Sequence, residues 1–321
     1  MTTAFNVITV CLTLLGNGTV IIVMLARRQE FSSFTNRLIL HQSTIDAIAG
    51  VVFFFHRLVK SSNLKVSEEN NFLDHLVCRC FDKDTLLWWA YVASTYNLVF
   101  ISLERFLATC HPIKHRNMLN ARKLKIAIGT SWALGFAFAL PTLFQMKPSG
   151  GRCQPVALGR AVRTLVGSFS VLNQFLVPVG VMIFAYGHIF IKLKTGHGHH
   201  SRANAEQDRR SRAKKNVLMT VLMTSVLFVV CWTPSACGYI IITISDSTGR
   251  AASQSVYLAV TTLTACNMFV NPIVLFLVYK HFRDQLKDLV LKRLRRNQVH
   301  SEQDPPGTAL SSKQTNSMEA V

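Results

Sequence analysis

One acidic side chain, Asp46, stands inside an otherwise uncharged apolar stretch. A carboxyl there is costly unless something compensates it. No Lys or Arg lies at its depth, so the compensation is a small cation or a proton held with hydrogen bonds. Glu104 and Arg105 are adjacent at the end of another such stretch, where an Arg either snorkels toward headgroups or pairs with its neighbour. Pro234 and Pro272 lie within apolar runs, where each removes a backbone donor and sets a kink. Asn267 and Asn271, near Pro272, are suited to re-satisfying the freed carbonyls beside Asp46. Of the eight cysteines, Cys78, Cys80 and Cys153 fall between apolar runs, and on spacing either Cys78 or Cys80 can pair with Cys153. The segment Gly196–Lys215, with His197, His199 and His200 among several Arg, reads as a solvated, mobile loop rather than a metal site. No nucleophile–base or metal constellation appears, so the chain is not read as an enzyme.

Seven uncharged runs must position these residues: Phe5–Ala26, Leu38–Phe55, Thr85–Leu103, Ile126–Gln145, Thr164–Ile191, Val217–Ser245 and Ala251–Tyr279. A spanning helix needs about 20 apolar residues, and backbone in lipid must bond internally, so these runs are predicted to be membrane helices. Half of the 321 residues are hydrophobic and 16% are charged, yet the net charge is +19. A soluble nucleic-acid binder would carry its basic residues on a hydrated surface, so that partner is excluded. Counting by side, 25 Lys and Arg fall on the face holding Arg27, Arg105, Lys192 and Lys280, and 10 on the other. The positive-inside rule puts the first face in the cytoplasm, with the N-terminus outside and the C-terminus inside. Met1–Asn6 carries no charge, so the first run is read as a retained helix rather than a cleaved signal.

The marks inside the runs resemble the rhodopsin-like (class A) G-protein-coupled receptors over residues 10–295. They are Gly16-Asn17-x-x-Val20, Asn36 with Asp46, Glu104-Arg105-Phe106 followed by Pro112, Trp132 with Pro141, and Phe175 with Pro178 and Tyr186. Further along come Phe228-x-x-Cys231-Trp232-x-Pro234 and Asn267 before Asn271-Pro272-Ile273-Val274. The resemblance implies an all-α membrane protein, a seven-transmembrane helix bundle with an amphipathic eighth helix. Its receptor domain spans 1–296 and its disordered tail 297–321. It implies a disulfide from Cys80 to Cys153, since Cys80 stands 25 residues before Arg105. It also implies an allosteric sodium pocket lined by Asp46, Ser94, Trp232, Asn267 and Asn271, and no other cofactor. Met268 stands where a small polar residue is usual.

A ligand pocket maps to Leu87, Trp88, Ser170, Gln174, Trp232, Tyr239, Tyr257 and Thr261. Activation maps to Glu104, Arg105, Tyr186, Phe228, Pro234, Asn271 and Pro272. Lys214 occupies the place of an acid on the sixth helix, which leaves restraint of Arg105 to Glu104 alone. Leu275 replaces the Tyr that closes the Asn-Pro motif, and Thr95 replaces a branched apolar residue. Leu87 stands where amine receptors carry an Asp, and Ala265 where opsins carry the retinal lysine, so amines and retinal are disfavoured. The mouth holds both signs, in Asp82, Asp84, His56, Arg57, Arg152 and Arg163. Those charges, with Cys110-His111-Pro112-Ile113-Lys114-His115, resemble neuropeptide receptors. The expected partners are an extracellular peptide, a heterotrimeric G protein, the bilayer, and by resemblance arrestin and a receptor kinase, at the plasma membrane.

After the seventh run, Phe282, Leu286, Leu289, Val290 and Leu294 recur at helical spacing among Lys and Arg, as in a helix lying on anionic lipid. The tail carries Ser and Thr as phosphorylation candidates and ends in Glu319-Ala320-Val321, a short match to a PDZ ligand. The rival readings are a transporter or channel, or a receptor for a lipid or a small non-amine ligand. A transporter would need paired ionisable groups along a path or two matching halves, and the chain has a single mid-membrane acid and an odd helix count.

Overall fold

The computed structural model describes residues 2–59, 66–69, 71–82, 84–195, 205–244 and 250–303. Its long helices are α1 (Thr2–Ala26), α2 (Phe34–Phe54), α3 (Thr85–Cys110), α4 (Ala121–Ala139), α5 (Arg160–Thr195), α6 (Ala205–Ile244), α7 (Arg250–Val278) and α8 (Lys280–Gln303). Among the described residues seven helices are long and apolar enough to cross a bilayer, one for each predicted run. A π-helical turn, Phe55–Val59, prolongs α2, another, Leu172–Leu176, interrupts α5, and a 3₁₀ turn, Leu140–Phe144, carries α4 past Pro141. Side chains cap two starts: Ser33 accepts from the Asn36 amide at 3.2 Å, and Asn120 from that of Lys123 at 3.0 Å.

The bundle is built around α3. In the apolar window of α3 72% of residues are buried, against 17% in α4 and 22% in α5, so the latter two present most of their surface to lipid. Gly135 lets α4 lie against α3: a Cβ there would stand 2.9 Å from the Trp89 carbonyl oxygen. The Trp89 indole in turn donates to the Trp132 carbonyl at 2.9 Å. Pro272 has no N–H for the Met268 carbonyl one turn earlier. The amide of Asn17 on α1 fills that gap at 2.8 Å, and Asn17 is fully buried. The sequence pointed to Asn267 and Asn271 for this task; the structure gives it to α1.

At one end of the bundle a hairpin, β1 (Met146–Ser149) and β2 (Arg152–Pro155), folds back over the helices. Its two-residue turn is Gly150-Gly151, both at positive φ (57° and 72°), which glycine adopts at little cost. The disulfide that pins it is Cys78–Cys153, with Cα atoms 5.3 Å apart, and Cys80 is a free thiol. This corrects the expected Cys80–Cys153 pair. The residue count back from Arg105 assumes continuous helix, but α3 begins at Thr85. Before it come Asp84 in the left-handed region (φ 59°) and a π-helical turn, Val77–Asp82. That wider turn buries Cys78 with Val66 and Met146, beside Cys153. Burial also pushes the Cys80 thiol pKa up.

At the opposite end α8 docks through Phe282, which is fully buried, and through an ion pair between Asp288 and Arg27 after α1. Val290, Leu291 and Leu294 are left exposed, an apolar strip suited to the bilayer surface. The helix continues to Gln303, so the tail boundary expected at 296 falls within it. The remaining tail, with its phosphorylation and PDZ candidates, and His197, His199 and His200 lie outside the described residues.

Candidate functional site

Near the disulfide end a small cavity of about 80 Å³ opens between α3, α5, α6 and the turn after α4. Of the eight residues mapped to a ligand pocket, Trp88, Ser170, Gln174 and Trp232 line it. Thr142, Gln145, Val171, Phe175, Ser235 and Ala236 complete the lining, none of them anticipated. Leu87 is 3% exposed and sits in the core instead. Thr261 does not reach the cavity, and the side chains of Tyr239 and Tyr257 lie outside the described residues. Among the described lining residues none is charged. Its floor is aromatic. Trp232 meets Trp88 and Tyr91 edge-on, at 5.9 and 6.4 Å between ring centres, and Phe228 at a tilt, at 5.6 Å. The Trp232 indole nitrogen and the Tyr91 hydroxyl are buried with no partner among the described residues, and of the two residues Trp232 lines the cavity.

One layer below, Asp46 is 1% exposed. Its Oδ2 accepts from the Asn271 amide at 2.6 Å, and its Oδ1 from the Ser94 hydroxyl at 2.9 Å. Gln42, absent from the sequence-based set, donates its Nε2 to both oxygens at 3.3 and 3.2 Å and also contacts Ser94 Oγ. The structure thus joins Asp46, Ser94 and Asn271 but not Asn267 or Trp232, whose polar atoms do not reach the carboxylate. A carboxylate offers about four lone-pair positions, and three protein donors are aimed at them, Gln42 Nε2 being shared between both oxygens. The arrangement does not fit the expected sodium ion, which needs oxygen lone pairs turned toward it.

At the Arg105 end the guanidinium is held twice by its neighbour: Nε to Glu104 Oε2 at 2.7 Å and a terminal nitrogen to Oε1 at 2.6 Å. It also contacts the hydroxyl of Thr35 on α2, which donates to Glu104 Oε2 at 2.8 Å. His115 Nε2, on the short helix Pro112–Met118, lies 2.6 Å from Glu104 Oε1. Restraint therefore does not fall on Glu104 alone, as the sequence suggested. Pro112 starts a helix that swings His115 back over α3. The Tyr186 hydroxyl lies 3.1 Å from Ser102 Oγ and 3.2 Å from Ser225 Oγ, joining α5 to α3 and α6. Leu275 is buried and apolar, while Tyr279, one turn later, donates to Asn36 Oδ1 at 3.0 Å. Thr95 is fully buried and returns its hydroxyl to the Tyr91 carbonyl at 3.0 Å, so it costs no unpaired group. The side chain of Lys214 lies outside the described residues.

Seven membrane helices built around the long α3 among them, a cavity at one end, and a paired Glu-Arg at the other define a transmembrane receptor. The chain matches the family model "7 transmembrane receptor (rhodopsin family)" over residues 16–275 and belongs to that family. It is a multi-pass membrane protein and a G-protein-coupled receptor, answering an extracellular ligand and acting on a G protein, not an enzyme. Among curated proteins it is 28% identical to galanin receptor type 3 of Homo sapiens, covering 85% of this chain and 74% of that one. It is 23% identical to trace amine-associated receptor 1 of Mus musculus, covering 88% and 86%. Galanin receptor type 2 of Mus musculus is 26% identical, covering 88% and 73%.

Proposed function

We propose that the receptor's ligand is a peptide that inserts one uncharged side chain or end into the α3–α5–α6 cavity and rests its remainder on the hairpin mouth. The observation that carries this is the cavity itself. At about 80 Å³ it is far below the roughly 300–1,000 Å³ of a small-molecule site. It has room for a side chain against the Trp88–Trp232 floor, and its described lining carries no charge to pair with an ammonium. Leu87, in the place of the amine-pairing acid, is packed into the core. The amine ligands of the trace amine relatives are therefore disfavoured, and the galanin receptor relatives favour a peptide. Around the mouth, Arg57 pairs with buried Asp84 at 3.2 Å at the top of α2 and α3, and half-exposed Arg57 borders the path of an elongated ligand.

The Arg105 end, with its excess of Lys and Arg, faces the cytoplasm of the plasma membrane, and the N-terminus and hairpin face outward. A peptide pressing on the Trp232 floor favours a bundle in which α6, bent at Pro234, turns its Ser225 end away from Tyr186. Arg105 then exchanges Glu104 and Thr35 for the G protein, with Phe228 and the Asn271–Pro272 kink of α7 as the moving core. Ligand and G protein both bind that state better, so each raises the other's affinity. Arrestin and a receptor kinase complete the expected cytoplasmic partners.

The test is nucleotide exchange on reconstituted G protein with a neuropeptide panel beside biogenic and trace amines. Activation by a peptide, lost in Trp88→Ala, is the expected result. Activation by an amine with all peptides silent, or solute flux with no exchange, overturns the reading.

A further inference from the structure

Asp46 lies at one end of an unbroken polar chain whose direction the protein dictates. The indole nitrogen of Trp132 on α4 can only donate, and it lies 3.0 Å from His41 Nε2. That nitrogen must accept, so His41 is neutral with its proton on Nδ1. Nδ1 lies 2.9 Å from Asn97 Oδ1, which accepts. The Asn97 amide nitrogen then donates to Gln42 Oε1 at 2.7 Å and to the Leu38 carbonyl at 3.1 Å. With Oε1 committed, Gln42 has its Nε2 left for Asp46 and Ser94. Turning the Gln42 amide over would set oxygen against carboxylate and nitrogen against nitrogen, losing contacts at both ends. Trp132 is half-buried and the links beyond it are buried: Gln42 is 3% exposed and Asn97 fully enclosed. Leaving any of these groups unpaired costs about 1–3 kcal/mol.

We propose that Gln42 closes the mid-bundle carboxylate to cations: its amide hydrogens occupy the space in which a sodium ion would need oxygen ligands. The donor's orientation is fixed from α4 through α2 and α3, so the carboxylate is tied to the bundle by protein alone. Asn267 Oδ1 and Asn271 Oδ1 are buried acceptors without partners among the described residues, but the Asp46 oxygens that would supply the charge are turned to the Gln42, Ser94 and Asn271 donors. A receptor built this way responds to its ligand equally in sodium and in potassium.

The experiment is thermal unfolding of the full chain in nanodiscs, in about 150 mM NaCl against KCl of equal ionic strength, with ²³Na linewidths as a second readout. Wild type is expected to unfold at one temperature in both salts and to leave the sodium line unbroadened. Gln42→Ala, which removes the amide and leaves room, is expected to gain about 2–4 °C in sodium. Adding Asp46→Asn is expected to abolish that gain. A sodium-specific rise or line broadening in wild type, lost in Asp46→Asn, overturns the proposal. So does a folded Gln42→Ala that ignores sodium, because Gln42 would then not be what closes the site. If Gln42→Ala does not fold, the wild-type arm decides alone.

Discussion

The two ends of the bundle are fastened by different chemistry. At the hairpin end a covalent tie sets the frame: Cys78–Cys153, beside the Gly150-Gly151 turn, the buried pairing of Asp84 with His56 and Arg57, and Asp74 gathering the Ser67 hydroxyl at 2.6 Å and the Ser67 and Asn71 amides at 3.0 and 3.1 Å. At the Arg105 end the ties are ionic and shared: one carboxylate serves Arg105, Thr35 and His115, and one tyrosine hydroxyl serves two serines. A disulfide cannot change partners within a signalling event. A guanidinium can, with little net cost, if a new acceptor arrives. The hairpin end is therefore the fixed frame and the Arg105 end the part that exchanges partners. Between them the Asp46 cluster gives α2, α3 and α7 a common anchor.

The comparison breaks most visibly at the frame. Cys78→Ser is expected to cost about 2–4 kcal/mol of stability, read as lost surface expression and a lower unfolding temperature. Cys80→Ser should leave both within about 0.5 kcal/mol of wild type. The reverse order would restore the Cys80 pairing. Glu104→Gln removes the charge that holds Arg105 and is expected to raise ligand-free nucleotide exchange about fivefold to tenfold, the shift produced by roughly 1–1.4 kcal/mol. His115→Ala loosens the same carboxylate from a partly exposed position, and about a twofold rise is expected.

The smallest effect is at Asp74. The Ser67 hydroxyl bond, with the Ser67 and Asn71 amides and nearby His75, holds its carboxyl below the ordinary value. Its contribution is therefore complete above the unfolded pKa near 3.9 and lost as pH falls through the lower folded value. Protection factors for amide exchange in the 66–77 segment, corrected for the intrinsic pH dependence, should be steady from pH 7 to about 5 and should fall only below about pH 4. A fall already near pH 6 would point to a histidine instead.

Much of this was legible in the chain because membrane helices are written in long uncharged runs. What the runs misplace are ends. α6 starts at Ala205, in a charged stretch that forms helix readily but cannot lie in lipid, so an apolar pattern stops at Val217. Motif spacing placed Asp46, Ser94 and Asn271 together because each projects from a regular helix. It failed for Cys78, where a π-helical turn and a left-handed Asp84 break the count. Gln42 left a readable signal, a polar side chain one helical turn before Asp46 on the same face. So did Asn17, a buried donor awaiting the carbonyl that any mid-helix proline frees. His115 left none, since its contact depends on how the Pro112–Met118 helix folds back, which no local pattern encodes.

The most direct test of the fixed frame and exchanging end is a pair of label-to-label distances in the reconstituted receptor, measured with and without bound G protein. One pair joins Lys123 on α4 to Met219 on α6 near the Arg105 end; the other joins Phe72 to Gln154 across the disulfide. The first distance is predicted to lengthen when G protein binds while the second stays unchanged. Lengthening across the disulfide with the α4–α6 distance constant would contradict the account.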